Sequence, residues 1–305
     1  MEQITYGASS GIFKIEKPTI LKCPFPGFED DLRCEQRAYE LLGRHPRIAH
    51  YYGRFNNVGC ELEYYRNGCI DKIMTTMHGE LPYLKWAEQI AEALVFMHSK
   101  GIIHCDLRTP NILVTDTFDI APADFASCCI DGVKVSTVTN IARYRPPSWE
   151  NYKECKVSLQ NDFFVFGSVV YFLITHEAPY KDLEDHEAIK LYTVGKFPDV
   201  SRWPLGTVMN KCWRGEYSTT SHLLKDIHQC TSLPLHLKWC FTGGARFRDL
   251  CPFEDSPQLI NFGDWLLWRR LSYHLYPSFP AVLMVNYRMK QRKSALKSEQ
   301  WLVFH

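Results

Sequence analysis

The chain has 305 residues, 46% of them hydrophobic and 23% charged, the make-up of a globular protein that buries a core. A formal net charge of +1 gives no field that would draw it to nucleic acid or to an anionic membrane surface. Twelve cysteines do not imply a disulfide scaffold or a zinc site at this length. Cys23, Cys34, Cys60, Cys105 and Cys212 sit singly in apolar stretches, and neither Cys128-Cys129 nor Cys60 with Cys69 has CxxC spacing.

Met1 to Phe13 has no basic stretch leading into an apolar one, so no signal peptide is expected. Gly11 to Ile15 alternates, Glu16-Lys17-Pro18 turns, and Thr19 to Lys22 extends again, a hairpin pattern broken by Pro24, Pro26 and Gly27. A helix is expected from Asp30 to Leu42, with acidic residues in its first turn and Gly43 at its end. Ile48 to Phe55 and Cys60 to Tyr65 read as two more strands. Beyond Asn67-Gly68 the pattern turns helical, with Trp86 to Ser99 closed by Gly101, and Asp162 to Thr175, Glu187 to Thr193 and Met209 to Trp213 further on. Ile102 to Phe125 is strand-like with polar punctuation.

The longest apolar run, Phe163 to Thr175, falls short of the about 20 residues that span a bilayer, so it reads as a helix buried on all sides. No membrane partner is expected, and the thiols suit a reducing compartment, cytoplasmic or nuclear. A small β-rich part followed by a larger helical part is an α+β arrangement with a cleft between two lobes. Thr231 to His305 is rich in Trp, Arg and aromatic residues and matches nothing upstream. A small extra subdomain, a loosely ordered tail and a misread coding sequence all remain open for it.

The strongest local pattern is His104-Cys105-Asp106-Leu107-Arg108-Thr109-Pro110-Asn111, which resembles the H-R-D-L-x-x-x-N catalytic loop of protein kinases. Thirteen residues after Asn111, Asp124-Phe125-Ala126 resembles D-F-G. Lys22, ending Thr19-Ile20-Leu21-Lys22, resembles the lysine of V-A-I-K, and Glu35 the helix glutamate that pairs with it, with Glu40 as a competitor. Tyr6 to Phe13 stands in place of G-x-G-x-x-G-x-V, keeping Gly11 and offering Gly7 out of register. Leu62-Glu63-Tyr64-Tyr65 fits the hinge between the lobes. Asn161 to Gly167 resembles D-x-W-S-F-G, Thr175 to Tyr180 resembles T-G-x-x-P-Y, and Cys212-Trp213 resembles the C-W of tyrosine-kinase-like kinases.

The resemblance is to the protein kinase superfamily and covers about residues 5–230, in order throughout. Asp106 to Asn111 is closest to the D-L-K-S-P-N of tyrosine-kinase-like serine/threonine kinases, and the run from Gly195 to Tyr217 is similar to compact kinase-like proteins of filamentous fungi. It implies the bilobal kinase fold, with the small lobe at about 5–65, the larger at about 66–230 and an extension at 231–305. It further implies ATP and Mg2+ as cofactors and a protein, through serine or threonine, as substrate. Asp106 would accept the substrate hydroxyl's proton and Arg108 would meet the transferring phosphate. Asn111 and Asp124 would hold the metal, while Lys22, Glu35, Gly7, Gly11, Glu63 and Tyr65 would bind the nucleotide. Asp162 would fix the catalytic-loop backbone, and Phe125 would lie under the small-lobe helix.

The pattern is also broken. Cys105 replaces the arginine that meets an activation-loop phosphate, so dependence on such phosphorylation is not expected, although Ser136, Thr137 and Thr139 lie in that segment. Arg143 to Ser148 stands in for A-P-E without its glutamate, for which Glu150 is a substitute. Two readings follow: an active kinase, since the charged set is complete, or a pseudokinase that binds nucleotide or scaffolds partners.

Overall fold

The computed structural model describes residues 2–15, 18–56, 58–77, 81–134, 142–147 and 156–232. All of them belong to one compact unit, 1–247; the other unit, 248–305, lies wholly outside the described residues. The first lobe is a five-stranded antiparallel sheet made of β1 (Glu2–Tyr6), β2 (Ser10–Lys14), β3 (Thr19–Pro24), β4 (Tyr51–Phe55) and β5 (Gly59–Glu63), in the order β1-β2-β3-β5-β4. The single helix α1 (Glu29–Leu42) connects β3 to β4. Glu29, Asp30 and Asp31 set negative charge against the helix N-terminus. Gly43, at φ +61°, ends the helix with its N–H on the Tyr39 carbonyl.

β1 is a strand that the alternation pattern did not announce. Ile48 and Ala49 are not part of β4: the Ile48 N–H closes a turn on His45 and the Ala49 N–H bonds the Pro122 carbonyl, so the chain strands only from Tyr51.

The second lobe opens with α2 (Ile70–Thr76) and α3 (Tyr83–Ser99). The strand-like stretch after α3 resolves into the short strands β6 (Ile102–Ile103), β7 (Ile112–Val114), β8 (Ile120–Pro122), β9 (Cys129–Ile130) and β10 (Val133–Lys134). A 3₁₀ turn at Thr109–Asn111 precedes β7. Four helices follow: α4 (Leu159–Thr175), α5 (Asp185–Thr193), α6 (Gly206–Trp213) and α7 (Thr220–Ser232).

α4 is the axis of this lobe. Every residue from Asn161 to Val170 is buried, as the apolar run predicts, while Tyr171, Phe172 and Ile174 keep some exposure. Its close approach to α6 requires a glycine: a Cβ on Gly167 would stand 3.0 Å from the Cys212 Cβ and 3.1 Å from the Trp213 Nε1. That indole N–H instead donates to the Ser168 hydroxyl at 3.1 Å. No helix among the described residues is long and apolar enough to cross a membrane.

Candidate active site

Strand alternation carries Lys22 into the interior, and there its ammonium meets two carboxylates. Nζ lies 2.7 Å from Glu35 Oε2 and 2.6 Å from Asp124 Oδ1. Lys22 and Glu35 are buried, whereas the Asp124 side chain is 43% exposed and faces the cleft. Burial works against the Lys22 charge, but Asp124 and Glu35 more than offset it and raise the pKa above the ordinary lysine value. At Asp124 burial opposes ionisation, and the Lys22 ammonium outweighs it, so the pKa falls. At Glu35 burial wins over Lys22, and the pKa is pushed up to about 7. Glu40, the competing glutamate, points elsewhere and pairs with Arg54 at 2.7 Å.

A column of rings backs this cluster. Tyr51 stacks on Tyr39 of α1 (5.1 Å, 12°), Tyr39 meets the edge of Phe125 (4.9 Å), and Phe125 lies 4.9 Å from His104. Phe125 is fully buried beneath α1. The neighbouring backbone is unusual: Cys105 and Asp124 have φ of +64° and +63°. A β-carbon in this left-handed region costs roughly 1–2 kcal/mol per residue, so neighbouring bonds must hold the loop.

Asp162 supplies those bonds. Its Oδ2 accepts the His104 N–H and its Oδ1 the Cys105 N–H, each at 2.8 Å. His98 Nε2 donates to Oδ2 at 2.9 Å, and His98 Nδ1 meets the Thr220 hydroxyl at 2.5 Å. Burial resists the Asp162 charge, but His98 and His104 outweigh it and lower the pKa. The His104 ring is fixed as well, with Nε2 donating to the Ala123 carbonyl at 3.1 Å and Nδ1 accepting the Asp106 N–H at 3.3 Å.

Asp106 sits in a second charged cluster. Arg108 holds it in a fork, Nε to Oδ1 at 2.5 Å and Nη2 to Oδ2 at 3.0 Å. Asn111, placed by the 3₁₀ turn that Pro110 opens, donates from Nδ2 to the Asp106 carbonyl at 2.8 Å and to Oδ2 at 2.9 Å. The Asn111 carbonyl accepts the Ala123 N–H at 2.8 Å, which ties this loop to the residue before Asp124.

The glycines and the hinge stand differently. The Gly7 N–H bonds the Ser10 carbonyl at 2.8 Å, so Gly7 opens the β1–β2 turn. Gly11 lies buried within β2 opposite Cys23, and a Cβ there would meet the Phe13 ring at 3.0 Å. The pairing Ile12↔Lys22 puts Ile12 on the Lys22 face and Gly11 on the other, and the pairing Tyr6↔Gly11 leaves residues 7–10 as the turn, which Gly7 opens and which Gly11 follows. In the hinge, the Glu63 N–H bonds the His50 carbonyl at 2.9 Å, and the Tyr65 hydroxyl accepts the His50 N–H at 3.2 Å. Ile20 is a cleft-side residue that motif reading passed over: it precedes Lys22 by two and pairs with Leu62, so all three share one face. Pairing register, which no motif encodes, is what reveals it.

Arg143 is anchored to the Leu183 carbonyl and to Asp185 at the start of α5. Ser136, Thr137, Thr139, Ser148 and Glu150 lie outside the described residues.

A family model described as protein tyrosine and serine/threonine kinase matches residues 29–228. The serine/threonine/tyrosine-protein kinase HT1 of Arabidopsis thaliana is 25% identical over 207 residues, covering 58% of this chain and 51% of that protein. Mitogen-activated protein kinase kinase kinase 13 of Mus musculus is 30% identical over 154 residues, 48% of this chain and 16% of that protein. A probable serine/threonine-protein kinase of Clostridium acetobutylicum is 32% identical over 126 residues, 39% of this chain and 19% of that protein. The chain thus spans about half or less of the length of these relatives.

Proposed function

The chain belongs to the protein tyrosine and serine/threonine kinase family, and from that premise we propose that it transfers the γ-phosphoryl group of MgATP to a serine or threonine of a protein substrate. One observation carries this reading: the Lys22 ammonium is held between Glu35 and Asp124, at 2.7 and 2.6 Å, on the cleft side of β3. The residues fit the cofactor. The Asp124 carboxylate and the Asn111 amide oxygen are hard donors of the kind Mg2+ takes, and Asn111 Nδ2 is already committed to Asp106, which leaves Oδ1 as the ligand. Bound MgATP supplies the electrophilic phosphoryl group and offsets the charge that builds on it.

The remaining steps belong to the side chains. Lys22 grips phosphate oxygens, and Glu35 keeps that ammonium in place. Asp106 takes the proton of the acceptor hydroxyl at Oδ1, which accepts one bond from Arg108 and has lone-pair capacity left, whereas Oδ2 already accepts from Arg108 and Asn111. Arg108 offsets negative charge beside it. Glu63 and Tyr65 line the adenine end, with Ile20 and Leu62 above it. Thr109-Pro110 after the catalytic aspartate favours serine or threonine as acceptor, and the thiol content suits a cytoplasmic or nuclear setting.

A second reading, a nucleotide-binding or scaffolding module without turnover, is favoured by the bulk of Ile20 on the Lys22 face and by Ser10 and Ala126 at the phosphate end. Phosphorylation of a generic protein substrate, or autophosphorylation, measured beside Asp106→Asn separates the two. A kinase loses roughly 10²-fold or more in the variant; equal signal from both proteins ends the enzyme reading. Saturating MgATP is expected to raise the melting temperature, by ~2.7 kcal/mol of stabilisation at a hundredfold excess over Kd. An unmoved melting curve counts against nucleotide binding in either form.

A further inference from the structure

Two thiols 94 residues apart in sequence lie in contact beside the charged cluster. Cys34 of α1 and Cys128, four residues after Asp124, have their sulfurs 3.6 Å apart, and Cys34 Sγ lies 3.5 Å from the Cys128 carbonyl. Both side chains are buried, and no disulfide joins cysteines among the described residues. We propose that Cys34 and Cys128 form an oxidative modification site, in which a hydroperoxide converts the pair into a disulfide that staples α1 to the segment following Asp124.

The chemistry balances with one peroxide. The Cys34 thiolate attacks the peroxide oxygen, the O–O bond breaks, and Cys34 becomes a sulfenic acid as water or an alcohol leaves. Cys128 sulfur then attacks the sulfenic sulfur, its proton leaves with the hydroxyl as water, and the S–S bond forms. In sum, two thiols are oxidised by two electrons and one peroxide is reduced. The contact between the two sulfurs favours the ionised form of Cys34, which is assigned as the attacking thiolate.

Closing 3.6 Å to the about 2.05 Å of a disulfide brings the two sulfurs about 1.5 Å closer. Glu35 directly follows Cys34, and the Phe125 carbonyl accepts the Cys128 N–H at 3.1 Å. The bond would therefore hold Glu35 beside Lys22 and Phe125 beneath Tyr39. This consequence for the nucleotide site rests on the proposed kinase reading; the bond itself does not.

The test uses the purified full chain, oxidised with hydrogen peroxide, alkylated, digested without reductant and mapped by mass spectrometry. The expected result is a linked pair of peptides carrying Cys34 and Cys128, together with a rise in melting temperature that dithiothreitol reverses. The rise should be absent from Cys34→Ser and Cys128→Ser. Recovery of both cysteines as separately alkylated peptides overturns the proposal, as does their linkage to other cysteines such as Cys105 or Cys129. If either substitution unfolds the chain, the map of the unsubstituted protein decides alone. Because it reads a covalent bond and not turnover, an absent phosphoryl-transfer activity leaves the result intact.

Discussion

Lys22 bridges Glu35 and Asp124, and the pKa values of the two acids move in opposite senses. Glu35 has a folded pKa near 7, above its ordinary 4.5, so between those values the folded chain holds a proton that the unfolded chain has released. Its contribution to stability is complete below about 4.5 and is lost as pH rises through 7. Asp124, with a lowered pKa, changes stability only below its ordinary value of 3.8, and Lys22, with a raised one, only above the ordinary lysine range. The interval from about pH 4.5 to 7 thus belongs to Glu35 within this cluster. Glu35→Gln should flatten the fall in melting temperature across that interval, as read by calorimetry at its two ends. An identical slope in the variant would show that the carboxyl does not carry the proton.

At the scale of elements, α4 sets the tightest tolerance. A methyl group on Gly167 presses against Cys212 and Trp213 in α6, and neither can retreat from a packed helix interface. Gly167→Ala should cost about 1–3 kcal/mol, visible as a lower urea midpoint with an unchanged slope. A neutral result would mean that α6 shifts freely. α4 was legible because its apolar run and its Asp162 are local in sequence. α2 and α7 were not: α2 is a seven-residue helix that buries two residues, Ile70 and Ile73, too few to show a period. The positions Asp106, Asn111 and Asp124 were readable from spacing within one short stretch. The register that sets Gly7 at the turn, places Gly11 after it and brings Ile20 beside Lys22 depends on pairing between strands, which neither propensity nor motif specifies. The Cys34–Cys128 contact was hidden for the same reason, since 94 residues separate its halves.

Over the whole molecule, the ring column from Tyr51 to His104 joins the sheet lobe to the helical lobe through Tyr39 and Phe125. Phe125 is its central member and fully enclosed. Phe125→Ala should destabilise the fold by about 3–5 kcal/mol and reduce the thermal response to MgATP, because α1 loses the surface on which Glu35 is seated. A variant that melts lower yet keeps the full MgATP response would show that the column stabilises the lobes without aligning them.

Asp162 extends this connectivity further down the chain than the ring column does. Through His98 the same carboxylate that clamps the amides of positions 104 and 105 is linked to the hydroxyl of Thr220, the first residue of α7. A polypeptide cut just ahead of that helix would leave the imidazole with Asp162 as its remaining hydrogen-bond partner. The loop at positions 104–106 is therefore braced by a helix more than a hundred positions downstream, and its bonding is complete only once that helix has docked.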